Sequence, residues 1–149
     1  MKRPIALWIL AFWLLFLAFG GLYGGIAMLL DPSGAILQMT MLLPRLHIQN
    51  YILPGLFLLA FMGLLPLFLI YALLVRPSWP WAQALFRPLK YHWVWIGTLA
   101  LGVLLAIWLA LQAILIGFKA PIQFVIAFTE VFILIFALLP PVRKYCLVS

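Results

Sequence analysis

Four long apolar runs dominate the chain, and charged residues stand almost entirely between them. The runs cover residues 5–30, 51–75, 93–118 and 121–140, and Glu130 is the one charged residue inside any of them. A helix needs about 20 consecutive apolar residues to cross the hydrocarbon core of a bilayer. None of the runs alternates polar and apolar residues as a transmembrane β-strand does. The pattern therefore predicts four transmembrane helices.

The segment between the first two predicted helices is also unusual. Residues 31–34 (Asp-Pro-Ser-Gly) have the sequence of a type I turn, and residues 35–43 are apolar but too short to span a membrane. A free loop is seldom so apolar, so we expect residues 35–43 to lie against the bundle. The predicted fold is an all-α membrane protein, a four-transmembrane-helix bundle with a short outer, membrane-adjacent segment between helices 1 and 2.

The composition agrees with this pattern. The sequence is 69% hydrophobic and only 7% charged, whereas soluble domains are about half apolar and about a quarter charged. A soluble domain of similar size buries only about 70% of its surface on folding, so this much apolar surface requires lipid as the solvent. The length fits a single integral membrane domain over residues 1–149.

Lysine and arginine residues are unevenly divided between the two ends of the predicted bundle. Seven lie at the end that carries both termini, which we call the basic end, and two, Arg45 and Lys119, lie at the opposite end. The seven are Lys2, Arg3, Arg76, Arg87, Lys90, Arg143 and Lys144. Because short loops rich in Lys and Arg stay on the cytoplasmic side, we expect both termini in the cytoplasm.

The positive charge also indicates a class of partner. A net charge of +7 in a soluble protein would suggest nucleic acid, but basic residues that flank membrane helices contact anionic lipid headgroups. The chain has no basic face interleaved with stacking aromatics of the kind that binds nucleic acid. The expected partners are therefore membrane lipids and not nucleic acid.

Two short motifs carry a resemblance. Asp-Pro-Ser-Gly at 31–34 follows the first predicted helix, and Asn-Tyr-Ile-Leu-Pro-Gly at 50–55 opens the second. With these motifs the chain resembles a group of small, uncharacterised bacterial inner-membrane proteins with four helices. The resemblance implies a multi-pass protein of the bacterial plasma membrane and implies no particular activity.

Glu130 lies nine residues beyond Pro121, about 14 Å along a helix that rises 1.5 Å per residue, and therefore near the bilayer midplane. An ionised carboxylate at that depth costs about 2.5–3.5 kcal/mol, so we expect a neutral Glu130 buried between helices. Counting residues along each helix, from the end opposite the termini to the depth of Glu130, predicts three neighbours for its side chain. The candidate intramembrane polar site is Glu130 with Gln112, Tyr23 and Trp108, and either Gln112 or Tyr23 is the expected hydrogen-bond partner.

Two roles for Glu130 stay open. The favoured one is structural, a neutral carboxylic acid that joins helices by hydrogen bonds. The alternative is a relay for protons or cations, or a contact for a cationic ligand. A single acidic residue makes a poor relay, because the sequence offers no second titratable group at the same depth.

Four glycines in the first run form two overlapping GxxxG pairs. They are Gly20, Gly21, Gly24 and Gly25. This spacing makes a groove in which another helix backbone can approach closely. We expect the groove to pack inside the bundle, and the alternative occupants are a lipid tail, a quinone or a partner helix.

Residues suited to catalysis or metal binding are few and dispersed. His47 and His92 fall at opposite ends of the predicted bundle, and Cys146 is the only cysteine. No nucleotide-binding, metal-binding or nucleophile motif is present. The sequence therefore predicts no catalytic residue, metal site or cofactor, and an enzyme is the least favoured class.

Two functional classes remain. The favoured one is a structural, accessory or lipid-interacting membrane component, within a larger membrane complex or as a homo-oligomer. The alternative is a small transporter or channel that uses Glu130. Transporters commonly have repeated halves and polar, broken helices at the midplane, and neither feature is apparent here.

Overall fold

Four long helices build the structure. The computed structural model describes residues 2–86, 90–117 and 121–147. The long helices are helix 1 (Ile5–Leu30), helix 2 (Ile52–Val75), helix 3 (Trp93–Ile116) and helix 4 (Pro121–Leu138). Each is long and apolar enough to cross a membrane, so the all-α, four-helix membrane fold is confirmed. Arg87, Phe118 and Lys119, which entered the sequence analysis, lie outside the described residues.

Helices that follow one another in the chain pack side by side. Helix 1 contacts helices 2 and 4, and helix 3 also contacts helices 2 and 4, so the four helices enclose one core. The core is built mainly of leucine, and its fully buried members include Leu7, Leu10, Leu14, Leu69, Leu73, Leu101, Leu105 and Ile133.

The closest approach between helices occurs where helix 1 meets helix 2. A methyl group added at Gly21 would overlap the backbone carbonyl of Met62, and a Cβ at Gly25 would lie 2.8 Å from the backbone nitrogen of Leu59. These two glycines therefore let the helix backbones touch. The other two glycines of the predicted groove behave differently, because a Cβ at Gly24 would make only an ordinary contact with a side chain, and one at Gly20 would meet nothing within 4 Å.

Helix 2 changes its hydrogen-bonding pattern midway. It is α-helical over Ile52–Phe57 and Leu65–Val75, and π-helical over Leu58–Leu64. Pro66 lies two residues beyond the π-helical stretch, and a proline inside a helix lacks an N–H and crowds the preceding turn. The wider π turns accommodate this proline, and they also present Met62 and Gly63 to helix 1.

The ends of the long helices differ slightly from prediction. Helix 2 begins at Ile52, one residue later than expected, and the Asn50 side chain accepts a hydrogen bond from its first N–H at 3.1 Å. Helix 4 ends at Leu138 and not at residue 140. Leu139 has an extended conformation with ψ 141°, as is usual for a residue that precedes proline. A short helix, Pro140–Tyr145, follows.

The segment between helices 1 and 2 is folded. The N–H of Gly34 donates to the carbonyl of Asp31 at 3.1 Å, so the expected turn forms. A 3-10 turn (Thr40–Leu42) and a short helix (Leu43–Leu46) follow. The hydroxyl of the buried Tyr51 donates to the carbonyl of Met39 at 2.7 Å, and this bond ties the segment to the start of helix 2.

A further short helix, Pro80–Leu85, lies between helices 2 and 3. Trp79, just before it, stacks on Trp93 at the start of helix 3 with 5.1 Å between ring centroids. The Trp93 indole N–H donates to the carbonyl of Pro77 at 3.2 Å. These contacts place the connection against the basic end of the bundle.

The contact between helices 1 and 2 leads to a testable prediction. Gly21→Ala should destabilise the protein by about 1–3 kcal/mol, the usual cost of overpacking, because the Met62 backbone cannot move aside cheaply. Gly20→Ala is the matched control on the same helix, and it should leave stability unchanged or raise it, since alanine favours helix. Thermal unfolding in detergent measures both. Equal effects of the two substitutions would contradict the close contact.

Candidate functional site

Glu130 lies in the middle of helix 4 and is partly buried. Leu134, one turn further along the same face, packs against Gly102 of helix 3. Residues four apart share a helix face, so Glu130 lies at the seam between helices 3 and 4. Among the described residues, none makes a hydrogen bond with its carboxyl group.

The structure does not bring Gln112 to Glu130. The Gln112 side-chain oxygen accepts a hydrogen bond from Nε2 of Gln123 at 3.3 Å. Gln123 precedes Glu130 by seven residues, which is about 10 Å along an α-helix. The two glutamines therefore join helices 3 and 4 at the end opposite the basic end.

Tyr23 is also distant from Glu130. Trp13 of helix 1 stacks on Phe132 of helix 4 with ring centroids 4.7 Å apart, which sets the relative height of the two helices. Tyr23 lies ten residues beyond Trp13, about 15 Å along helix 1, and is 69% exposed. Counting from helix ends placed it too deep, because helix 1 extends well beyond the start of helix 4.

Trp108 faces helix 2. Its ring stacks on Phe57 with 4.5 Å between centroids and 23° between planes, and its buried indole N–H has no hydrogen-bond acceptor among the described residues. Stacking is therefore the visible contribution of Trp108. The four residues of the predicted polar site do not form one site.

The buried threonines of the long helices are satisfied within their own helices. The Thr98 hydroxyl donates to the carbonyl of Val94 at 2.9 Å, and the Thr129 hydroxyl donates to that of Val125 at 2.8 Å. Such bonds to the carbonyl four residues earlier are common for threonine in helices. These hydroxyls therefore do not extend toward Glu130.

A more elaborate polar arrangement lies at the basic end, where residues 140–147, here called the C-terminal segment, fold back onto the bundle. The Tyr145 hydroxyl donates to the carbonyl of Leu73 at 2.8 Å, and an Arg76 Nη donates to the carbonyl of Leu147 at 3.2 Å. The N–H of His92 donates to the carbonyl of Cys146 at 2.7 Å. The segment thus joins the end of helix 2 to the start of helix 3.

His92 and Cys146 are buried in this arrangement. Burial lowers the pKa of His92, and the nearby Arg76 charge lowers it further. The neutral ring suits its position, because Nδ1 accepts a hydrogen bond from the N–H of Val94 at 3.3 Å and so caps helix 3. Burial raises the pKa of the Cys146 thiol to about 12, so the thiol is protonated at neutral pH.

Sequence reasoning missed this arrangement. Its members stand far apart in the chain, as Tyr145 and Leu73 do, and no spacing rule relates them. One local signal was present: Pro140 and Pro141 end helix 4 just before Arg143 and Tyr145, which indicates that the chain turns back at that point.

Comparison with protein-family models, with curated proteins and with solved structures finds no match to this chain.

The burial of His92 predicts a pH-dependent stability. A histidine whose pKa is lowered in the folded state stabilises the fold at pH values above its unfolded pKa of about 6.5, and this contribution is lost as the pH falls. We expect the melting temperature in detergent to decrease between pH 7.5 and pH 5. His92→Asn keeps a capping side chain but does not titrate, so its melting temperature should decrease less over the same range. An identical decrease for both proteins would exclude His92 as the cause.

Proposed function

We propose that this protein is a structural or accessory component of a bacterial plasma membrane and that it works as an oligomer assembled through the seam between helices 3 and 4. The observation that carries the proposal is Glu130. Its carboxyl group lies at mid-height in helix 4, partly buried, without a hydrogen bond to any described residue. A polar group left unsatisfied in hydrocarbon costs several kcal/mol, so a donor and acceptor from outside the chain would stabilise it.

A second copy of the same chain supplies that partner. A neutral glutamic acid both donates and accepts, so two Glu130 side chains related by a twofold axis can satisfy each other. A twofold interface uses the same surface on both subunits. No group of different chemistry is then required.

The exposed surface of helix 3 allows close approach of another helix. Ala106, Ala110 and Ala113 of helix 3 are exposed, and small residues at such spacing let helix backbones pack closely in a membrane. In the most apolar stretches of helices 3 and 4 only 22% of the residues are buried inside the bundle, compared with 39% for helices 1 and 2. Helices 3 and 4 therefore have more surface free for assembly.

The alternative, a small transporter or channel that uses Glu130, has no comparable support. The buried hydroxyls of Thr98 and Thr129 donate to carbonyls of their own helices, and Gln112 bonds to Gln123 about 10 Å from Glu130. The described residues therefore form no polar path that leads from Glu130.

The oligomer depends on Glu130 in this proposal. Glu130→Leu should convert it to monomers in lipid nanodiscs, whereas Glu130→Gln, which keeps a donor and an acceptor, should preserve it. Native mass spectrometry or single-molecule photobleaching measures the subunit number. Thr129→Val is the matched control, because it removes a neighbouring polar group that bonds only within helix 4, and it should leave the oligomer intact.

Two results would refute self-association. One is an oligomer that survives Glu130→Leu, and the other is a wild-type protein that is monomeric in bilayers. In the second case, a Glu130-dependent complex with a different membrane protein would retain the accessory role but assign it another partner.

The orientation is a separate prediction. Both termini are proposed to be cytoplasmic, because the basic end carries most of the Lys and Arg residues. A reporter active only in the cytoplasm should be active when fused after residue 149 and inactive when inserted within residues 35–43. The reverse pattern would place the basic end outside.

A further inference from the structure

A shallow, open cleft with a volume of about 670 Å³ lies at the basic end. It lies between the start of helix 1, the end of helix 2 and the C-terminal segment. The residues that line it are Lys2, Arg3, Trp8, Leu74, Val75, Arg76 and Tyr145. Three cationic side chains therefore share one concave surface with two aromatic and two aliphatic ones.

The cations of the cleft have no Asp or Glu partner. The sequence contains only two such residues: Asp31 follows the far end of helix 1, and Glu130 lies in the middle of helix 4. Three positive charges that line one cleft repel one another. An anion from outside the chain would relieve that repulsion.

The two arginines are held in place by backbone and aromatic groups that leave most of their donors free. An Arg3 Nη donates to the carbonyl of Leu74 at 2.8 Å, and the Arg76 guanidinium lies 5.0 Å from the ring centroid of Tyr145. Each guanidinium has five N–H donors, and the described residues accept only one hydrogen bond from each of them. A guanidinium fork matches the oxygens of a phosphate group.

The backbone at Arg76 is unusual in a way that supports a role in binding. Arg76 has φ 53° and ψ 58°, the left-handed conformation at the end of helix 2. Glycine is the usual residue at such a position, and a larger residue there costs about 1–3 kcal/mol. This conformation places the guanidinium beside Tyr145 and within reach of Leu147.

The apolar lining of the cleft favours a lipid over a soluble anion as its ligand. Trp8 and Val75 line the cleft and are also 50% and 56% exposed on the long helices, so they continue the cleft onto the surface that faces hydrocarbon. Tryptophan is enriched at the level of lipid headgroups. A phosphate beside the cations could therefore carry acyl chains along this surface.

We propose that the cleft binds the phosphate of an anionic phospholipid, with Lys2, Arg3 and Arg76 as its cationic ligands and with Trp8 and Val75 along the acyl chains. Basic pockets between transmembrane helices are known to bind such headgroups. The site goes beyond the proposed function, because it lies at the basic end and does not depend on assembly through Glu130.

Two lysines allow a matched test. Lys2 lines the cleft and Lys144 does not, although both are exposed lysines at the basic end. Lys2 makes no hydrogen bond within the described residues, so Lys2→Gln should not unfold the protein. A thermal unfolding measurement checks this.

The binding measurement is a titration of the detergent-solubilised protein with phosphatidylglycerol or phosphatidylcholine, followed by native mass spectrometry of the complexes.

We expect wild-type protein to bind phosphatidylglycerol more tightly than phosphatidylcholine. Lys2→Gln should weaken phosphatidylglycerol binding about fivefold, in line with the attraction of one basic residue to an anionic lipid surface, whereas Lys144→Gln should change it less than twofold. Arg76→Lys keeps the charge but removes the guanidinium fork, and it should also weaken binding.

Three results would overturn the proposal. If the two lysine variants weaken binding equally, the attraction is a general effect of surface charge. If neither variant has an effect, the cleft is not the site. If inorganic phosphate displaces phosphatidylglycerol when the two are present at equal concentrations, the cleft recognises a free anion and not a lipid.

Discussion

The backbone contact between helices 1 and 2 is the constraint on which the rest of the bundle depends. Lipid is as apolar as leucine, so burial alone does not hold helices together in a membrane, and close packing supplies the attraction. Gly21 and Gly25 bring the two backbones together at Met62 and Leu59. The resulting pair provides the surface against which helices 3 and 4 pack, and the π-helical stretch of helix 2 matters because it presents Met62 to that contact.

The basic end depends in turn on where helix 2 stops. Two carbonyls of its last turn, at Leu73 and Leu74, accept hydrogen bonds from Tyr145 and Arg3, which come from opposite ends of the chain. Carbonyls at a helix end lack partners within the helix. Both termini are thus attached to the same turn of helix 2, and the cleft between them is a consequence of that attachment.

Much of the fold could be predicted from the sequence, because a transmembrane helix is defined by length and by the absence of charge. The four spans follow directly, and their ends differ from prediction by at most two residues. At the end of helix 4 the cause is Pro140, which acts on Leu139. The polar site could not be predicted in the same way. Residue spacing reports positions along one helix but not the height of that helix relative to its neighbours. The Trp13 and Phe132 stack sets that height, and no pattern within either helix indicates it.

The attachment of Tyr145 to Leu73 has a consequence for the order of synthesis. The two residues are 72 positions apart, so the end of helix 2 enters the membrane long before its partner exists. Until helix 4 has been inserted, the carbonyl of Leu73 can bind only water or lipid headgroups. A chain interrupted within helix 4 would therefore have three inserted helices but an unfinished basic end.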